Sequence, residues 1–212
     1  IVSAAHDVRA EQLAVAAAPP ADGSARESAV LTLFGETDGE PDLLLIQRSM
    51  RLRSHPGQAA LPGGRCEPGD ADAAATALRE ANEETGLDPR GVEVLAHLPS
   101  LWVPISNHAV TPVIAWWREP SPVSAVDVGE VASVHRVALS DLLDPAYRLQ
   151  IRYPGNRYGP AFRVDGLLVW GFTADLLSGL FDVAGLTRPW DRTRVEDLPI
   201  PPELRRRGMG GS

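Results

Sequence analysis

The feature that most constrains this chain is a short acidic segment at the end of a predicted helix. At about 100° per residue, Glu80, Glu83 and Glu84 fall within an arc of roughly 100° on one side of that helix. Like charges at this spacing repel each other, and the carboxyl end of the helix dipole disfavours them further. The pattern therefore predicts a positive partner on this face, and Mg²⁺ is suited to carboxylate oxygens. The segment reads Arg79-Glu80-Ala81-Asn82-Glu83-Glu84-Thr85-Gly86.

The residues around the acidic segment favour a site over a merely solvated acidic face. The helix is predicted over residues 72–85, with Asp70 or Asp72 as its cap and Gly86 just beyond its end. Upstream, Leu61-Pro62-Gly63-Gly64 can bring the backbone close to a cation and to phosphates, because glycine adopts turns closed to other residues. Residues 47–64 predict a long ordered loop, and such loops are often functional.

The remaining pattern predicts an α+β chain, specifically an α/β/α sandwich. A polar hairpin joins two short apolar runs, and further strand candidates follow the acidic helix. A last apolar stretch changes from strand-like to helical at Thr173. The strand candidates are Ala29–Phe34, Leu43–Ile46, Val92–Leu98, Val110–Trp117, Val131–Val137 and Leu167–Trp170.

Composition limits the function further. The 212 residues carry a formal charge of −8, which offers no general attraction for polyanions, so we expect no nucleic-acid partner. A phosphate-bearing substrate must then be held by a local device such as a metal or a few arginines. A single cysteine, Cys66, predicts a reducing compartment, the cytoplasm, and we read that thiol as inert. No stretch reaches the ~20 apolar residues of a membrane span, so no membrane partner is expected.

The segment from Leu61 to Leu87 closely resembles the Nudix box, Gly-x5-Glu-x7-Arg-Glu-apolar-x-Glu-Glu-x-Gly-apolar. In that family the box is a loop–helix–loop packed on a mixed sheet, and its glutamates hold Mg²⁺ or Mn²⁺. The resemblance implies metal ligation by Glu80, Glu83 and Glu84, with a backbone carbonyl from Gly64. It also implies that Arg79 orients the acids by salt bridging.

The first half of the box departs from the family pattern. Ala71 stands where the general box has glutamate, and the spacing from Gly64 is one residue too long. Asp70 or Asp72 can substitute for the missing acid, and the sequence alone leaves both open. The departure resembles the variant found in the coenzyme A branch of the family, where an aspartate-rich loop precedes Ala-Leu-Arg-Glu.

A second motif, Leu44–Ser49 followed by Leu52–Gln58, is similar to the signature that precedes the box in Nudix coenzyme A pyrophosphatases. Arg48, Arg53 and His55 would lie beside the metal site. Arginine suits phosphate binding, because its guanidinium group can donate two parallel hydrogen bonds to phosphate oxygens. We predict that these side chains bind substrate together with Gly63 and Gly64. The alternative is that the arginines pair with nearby acids and His55 braces the loop.

The resemblance implies Mg²⁺- or Mn²⁺-dependent hydrolysis of the pyrophosphate bond of coenzyme A or acyl-CoA, a small nucleotide substrate. Glu83 and Glu130 are the candidate bases, and Glu130 is otherwise a charge at the start of a strand. His108 could donate to a phosphate or be simply solvated. ADP-ribose, dinucleotides and nucleoside triphosphates remain open as substrates, as does a non-catalytic nucleotide sensor.

The sequence predicts one family domain over residues 26–186. Residues 1–25 are predicted to be an N-terminal extension with an alanine-rich helix over 4–18, and residues 187–212 a C-terminal tail. Related proteins often pair, which leaves a homodimer open. The aromatic side chains Trp116, Trp117 and Trp170 are predicted to be core or interface residues.

Overall fold

The computed structural model describes residues 13, 18–52 and 55–198 of the chain. Most of the predicted N-terminal helix over 4–18 lies outside the described residues, as do Arg53 and residues 199–212. Within the described part, no helix is long and apolar enough to cross a bilayer.

The main sheet has β1 at its centre, paired in parallel with β7 and antiparallel with β2. β5 and β6 pair with β7, whereas β3 and β8 pair with β2. Because one pair is parallel and the others are antiparallel, the predicted mixed sheet is confirmed. The strands are β1 Arg26–Thr37, β2 Glu40–Arg48, β3 Ala59–Ala60, β4 Gly63–Arg65, β5 Val92–His97, β6 Leu101–Val103, β7 His108–Trp117 and β8 Val131–Ala138.

β1 changes partner along one of its edges. Residues 34–37 pair with β2, whereas residues 28–30 pair with the short strand β4. Between these ladders the Leu31 amide donates to the Pro62 carbonyl at 2.8 Å. The segment predicted as a loop, 47–64, therefore contains short strands. Runs of two or three residues containing glycine carry too little pattern to be recognised before their partners are known.

Helix α1, Ala73–Thr85, follows the predicted bounds closely. The Asp72 carboxylate accepts from the Ala75 amide at 2.8 Å and caps the helix, and Gly86 ends it in the left-handed conformation. The buried side of α1 carries small alanines, which pack against Leu31 and Leu33 of β1. Small side chains bring the helix backbone close to the sheet, and this closeness positions the acids on its last turn.

The opposite face of the main sheet is covered by helices and a second sheet. Phe162 and Phe181 meet there edge to face, and this larger apolar core also includes Leu43 and Leu45 of β2. The hairpin of β9 and β10 and the parallel pairing of β12 with β9 were not predicted. The elements are α2 Leu139–Leu143, β9 Arg148–Tyr153, β10 Arg157–Val164, β11 Leu167–Val169, α3 Phe172–Val183 and β12 Val195–Asp197, with single 3-10 turns at Pro89–Gly91 and Pro145–Tyr147.

Candidate functional site

Two glycines bring the loop before α1 into contact with the acidic end of the helix. Gly63 has φ of 156°, and a side chain there would collide with the backbone of Ala29 and Val30. At Gly64 an added side chain would occupy the place of the Glu80 carboxylate. Glycine at both positions therefore allows the loop backbone to lie directly against the helix acids.

Glu84 is the most buried acid of the cluster, with 8 % of its surface exposed. Burial raises the pKa of Glu84 to about 7, against the opposing effects of the Gly63 amide and the Arg48 charge, while Glu80 and Glu130 raise it further. Its Oε2 accepts from the Gly63 amide at 3.0 Å. Glu84 thus sits among other acids in a place that disfavours its charge, which is the situation a bound cation relieves.

Arg79 links the acids of the loop to the acids of the helix. Its Nε and Nη2 donate to the two oxygens of Asp70 at 3.0 Å each, and its Nη1 lies 3.1 Å from carboxylate oxygens of both Glu80 and Glu83. The hydrogen bond from Arg79 holds the pKa of Asp70 well below its usual range. Asp72 caps the helix, whereas Asp70 is the loop acid that bonds Arg79. The structure thus gives the two aspartates that the sequence left open different roles.

The donor set fits a hard divalent cation. Glu80 and Glu84 carry oxygen donors near the loop backbone, and burial raises the pKa of Glu80 as well. Across the described ranges, no three acidic, histidine or cysteine side chains are already gathered around one point, and Arg79 holds both Glu80 and Glu83. A preformed cage is not required for Mg²⁺, which keeps several waters and binds through one or two carboxylates plus substrate phosphates.

Arg48 lies close enough to Glu84 for its charge to act on that carboxyl group. Its charge lowers the pKa of Glu84, and its Nε is buried without a hydrogen-bond partner among the described residues. The pairing of β2 with β8 shifts by one residue between Gln47 and Arg48, which is a β-bulge. Such bulges re-aim a side chain next to active sites. The structure therefore brings an incompletely satisfied guanidinium beside the acidic cluster.

Glu130 acts on the acidic cluster through its charge, and His55 lies on the connection that follows β2. Glu130 is exposed at the turn before β8, its charge acts on Glu84, and its carbonyl accepts from the Ser49 amide at 2.8 Å. His55 is exposed with φ of 54° and its carbonyl accepts from the Gln58 amide. Gln58, whose role the sequence pattern does not indicate, donates to the Trp170 carbonyl at 3.1 Å and connects this loop to the start of α3.

The other candidates lie away from the acids. His108 shares a 2.6 Å hydrogen bond with Ser28, and burial lowers its pKa. Trp117 is buried as predicted. A cavity of about 610 Å³ lies near the start of α1, with Cys66 and Asp70 in its lining, and Glu80, Glu83 and Glu84 do not belong to that lining. We therefore locate the candidate site at the acidic cluster and not in this cavity.

A glycine loop and an acidic helix packed on a mixed sheet define a protein of the Nudix class. The NUDIX domain model matches residues 25–154. The chain is 40 % identical over 147 residues to a protein of Citrobacter koseri named uncharacterized Nudix hydrolase NudL, with 66 % of this chain and 73 % of that protein covered. The protein of the same name in Escherichia coli K12 is 38 % identical over 148 residues, with 66 % of this chain and 74 % of that protein covered.

A solved structure supports the same fold. The Nudix hydrolase RenU of M. smegmatis superposes with a TM-score of 0.55 at 20 % identity, covering 79 % of this chain and 90 % of that one. The chain belongs to the Nudix hydrolase family. Members of this family generally use divalent metals, typically Mg²⁺.

Proposed function

We propose that this chain hydrolyses the pyrophosphate bond of coenzyme A or an acyl-CoA, giving 3′,5′-ADP and 4′-phosphopantetheine or its acyl form. The observation that carries the proposal is the juxtaposition of Glu84 and Arg48. Glu84 is a buried acid among acids, and Arg48 has a buried nitrogen with no partner among the described residues. A pyrophosphate that carries a divalent cation would satisfy both groups, because the cation would offset the Glu84 charge and the phosphate would pair with Arg48.

Glu80, Glu83 and Glu84 would hold Mg²⁺ or Mn²⁺, together with the Gly64 carbonyl. When bound, the metal neutralises the pyrophosphate oxygens and lowers the pKa of a bound water. Arg79 keeps Glu80 and Glu83 in place, because one guanidinium nitrogen bonds both carboxylates. Asp70 in turn fixes Arg79 through two hydrogen bonds. Arg79 is thus a positioning residue in this proposal.

Substrate phosphate would be received by Arg48, with His55 on the connection after β2 and the backbone of Gly63 and Gly64 as further proposed contacts, although the Gly63 amide already donates to Glu84. Arg53 remains a predicted partner and lies outside the described residues. A fork of guanidinium nitrogens matches phosphate geometry and carries a permanent charge. The overall charge of −8 does not attract such a substrate, so these local groups must supply the attraction.

The base that accepts the water proton would be Glu83 or Glu130. Glu83 keeps 57 % of its side chain exposed even while bonded to Arg79, so solvent water can reach it. Glu130 is also exposed and acts electrostatically on Glu84. A carboxylate in contact with water can take a proton as the water attacks phosphorus. Because Glu83 is also a proposed metal ligand, the Glu83→Gln and Glu130→Gln variants are compared by their pH–rate profiles, and the base is the residue whose substitution removes the acidic limb of the kcat profile.

Apolar side chains near the site favour coenzyme A over ADP-ribose. Met50, Val126 and Val128 are 70 %, 60 % and 65 % exposed. Hydrogen bonds connect their segments to the site, from Ser49 to the Glu130 carbonyl and from Val126 to the Glu84 carbonyl. We propose that these three side chains together receive the apolar part of the substrate, since a contiguous exposed apolar patch marks a ligand site. Pantetheine and acyl chains have such surface, whereas the second half of ADP-ribose is a polar sugar.

The deciding experiment is hydrolysis of coenzyme A with Mg²⁺ or Mn²⁺ and identification of both products. The same assay is run with octanoyl-CoA, ADP-ribose, a dinucleoside polyphosphate and a nucleoside triphosphate. We expect the highest kcat/KM with coenzyme A or its acyl form. A higher value with ADP-ribose would replace the proposed substrate but retain the metal chemistry. No product from any substrate would favour a nucleotide sensor.

A further inference from the structure

A chain of polar side chains connects the second sheet to β2. Ser133 and His135 lie two residues apart on β8 and therefore face the same side of the sheet. Ser133 Oγ lies 2.7 Å from His135 Nε2, and His135 Nδ1 lies 2.6 Å from Asp165 Oδ2. Both ring nitrogens are engaged, so the imidazole is fixed in orientation.

Asp165 reaches His135 from the tight turn between β10 and β11. Asp165 has φ of 50° and Gly166 has φ of 73°, which is the left-handed pair of a two-residue hairpin. The turn therefore delivers a carboxylate from the second sheet to a histidine of the main sheet. This contact is one of the polar links between the two sheets.

At its other end the chain reaches the loop beside Arg48. Gln47 lies directly opposite Ser133 in the pairing of β2 with β8, and the Ser133 hydroxyl donates to Gln47 Oε1 at 3.3 Å. Gln47 Nε2 donates to the Gly57 carbonyl at 3.5 Å, a long hydrogen bond. The Gly57 amide donates to the Arg48 carbonyl at 3.1 Å, and the Arg48 amide to the Gln58 carbonyl at 2.9 Å.

We infer that Gln47, Ser133, His135 and Asp165 form a positioning relay that holds the Gly57–Gln58 turn against Arg48. The inference rests on the proposed function only in taking Arg48 as a phosphate-binding group. Ser133 is not assigned as a nucleophile, since it lies inside a paired strand and its hydroxyl is already engaged on both sides. Its role is to join the histidine to the glutamine.

The relay should affect substrate binding more than chemistry. It contacts the backbone that carries Arg48, whereas Glu80, Glu83 and Glu84 lie on α1 across the sheet. Removing one hydroxyl in Ser133→Ala should raise KM for coenzyme A by about 3- to 10-fold, the effect of one net hydrogen bond. The value of kcat should change by less than about twofold.

Ser133→Thr is the matched test, because it keeps the hydroxyl on a residue that strands accept. We expect it to restore KM to within about twofold of the wild type. Glu196→Gln serves as a control, since it breaks the exposed ion pair between Arg163 of β10 and Glu196 of β12 without touching the relay. A KM unchanged in Ser133→Ala, or raised equally in Ser133→Thr, would overturn the inference.

A second readout needs no substrate. Amide hydrogen exchange over residues 47–58 reports how firmly the turn is held. We expect faster exchange there in Ser133→Ala and Asp165→Asn than in Ser133→Thr, the wild type or the Glu196→Gln control. Equal exchange in all five proteins would refute the relay. If no coenzyme A turnover occurs in any protein, the proposed function fails, and the exchange result still decides the relay.

Discussion

Glu84 on α1 and Asp175 on α3 titrate alike but lie in different surroundings. Burial raises the pKa of each to about 7. Around Glu84 are the Gly63 amide, the Arg48 guanidinium and two further acids. For Asp175, in the first turn of α3, burial is the one cause of the shift. Positive and negative side chains therefore both act on Glu84, whereas no charged side chain of the described residues contributes to the pKa shift of Asp175.

The comparison separates burial from function. A raised pKa measures how poorly a site solvates a charge, and this happens in any apolar niche. A reactive site additionally needs groups that bind the substrate and the cation, and of these two acids Glu84 is the one with charged neighbours to propose for that role. We therefore expect substitution of Glu84 to change turnover and substitution of Asp175 to change stability.

Glu84→Gln should reduce kcat/KM for the preferred substrate by roughly 100- to 1,000-fold, because it removes a charged ligand while keeping an acceptor for the Gly63 amide. The melting temperature should stay equal or rise, since a buried carboxylate is disfavoured. Steady-state kinetics and thermal unfolding measure the two quantities. Glu93→Gln, the same change in a surface ion pair on β5, is the control. Turnover within about twofold of the wild type would remove Glu84 from the site.

Arg48→Ala should raise KM by roughly 10- to 100-fold, the range expected for losing a hydrogen bond to a charged group. The turnover number should fall less, because the metal ligands are unchanged. Initial-rate kinetics over a range of substrate concentrations separate the two constants. Arg163→Ala, which breaks an exposed ion pair on β10, should leave both constants unchanged. A fall confined to kcat would assign Arg48 to the reaction step and not to binding.

Asp175→Asn should stabilise the fold at pH 8 by roughly 1–3 kcal/mol, with kinetics unaffected. The folded pKa of about 7 exceeds the unfolded value of 3.8, so the folded state holds the extra proton between these limits. The stability contributed by the protonated group is complete below the unfolded pKa and is lost as pH rises through about 7. Urea unfolding of both proteins at pH 4, 6 and 8 measures the difference. An equal gain at pH 4 and pH 8 would contradict this cause.

Asp72→Ala should lower the free energy of unfolding by about 1 kcal/mol through loss of the α1 cap. It should leave kcat/KM nearly unchanged, because Asp70 and not Asp72 bonds Arg79. Denaturant unfolding and the kinetic assay are compared in the same buffer. A large loss of activity with unchanged stability would instead make Asp72 the loop acid of the box.

Much of the site could be predicted because its signals are local. They all lie in one short segment, Gly63 to Gly86, which contains the glycine pair before α1, the spaced acids on the helix and the glycine after its end. The relative burial of Glu83 and Glu84 could not be predicted, because both lie on the same helix face and the sheet decides which is covered. Likewise, the choice between Asp70 and Asp72 depends on where the Arg79 side chain folds.

In the second sheet, β11 lies at the predicted strand Leu167–Trp170, whereas β9, β10 and β12 were missed for two different reasons. Residues 148–164 carry a usable signal, since Leu149 and Ile151 alternate with polar residues before the turn at Pro154-Gly155-Asn156. β12 carries almost none, because its three residues become a strand only by pairing with β9. The contact of Asp165 with His135 is also invisible in the sequence, since it depends on how two sheets meet.

The connection between β2 and β3 has a consequence for substrate range. β2 ends at Arg48, β3 begins at Ala59, and the two strands pair with each other, so the length of the connection between them is independent of their register. In the proposed site, a longer or shorter connection would change the surface beside Arg48 without shifting any strand by a residue. Exchanging this segment between relatives should therefore transfer the preference for the group attached to the pyrophosphate, while the acids on α1 remain in place.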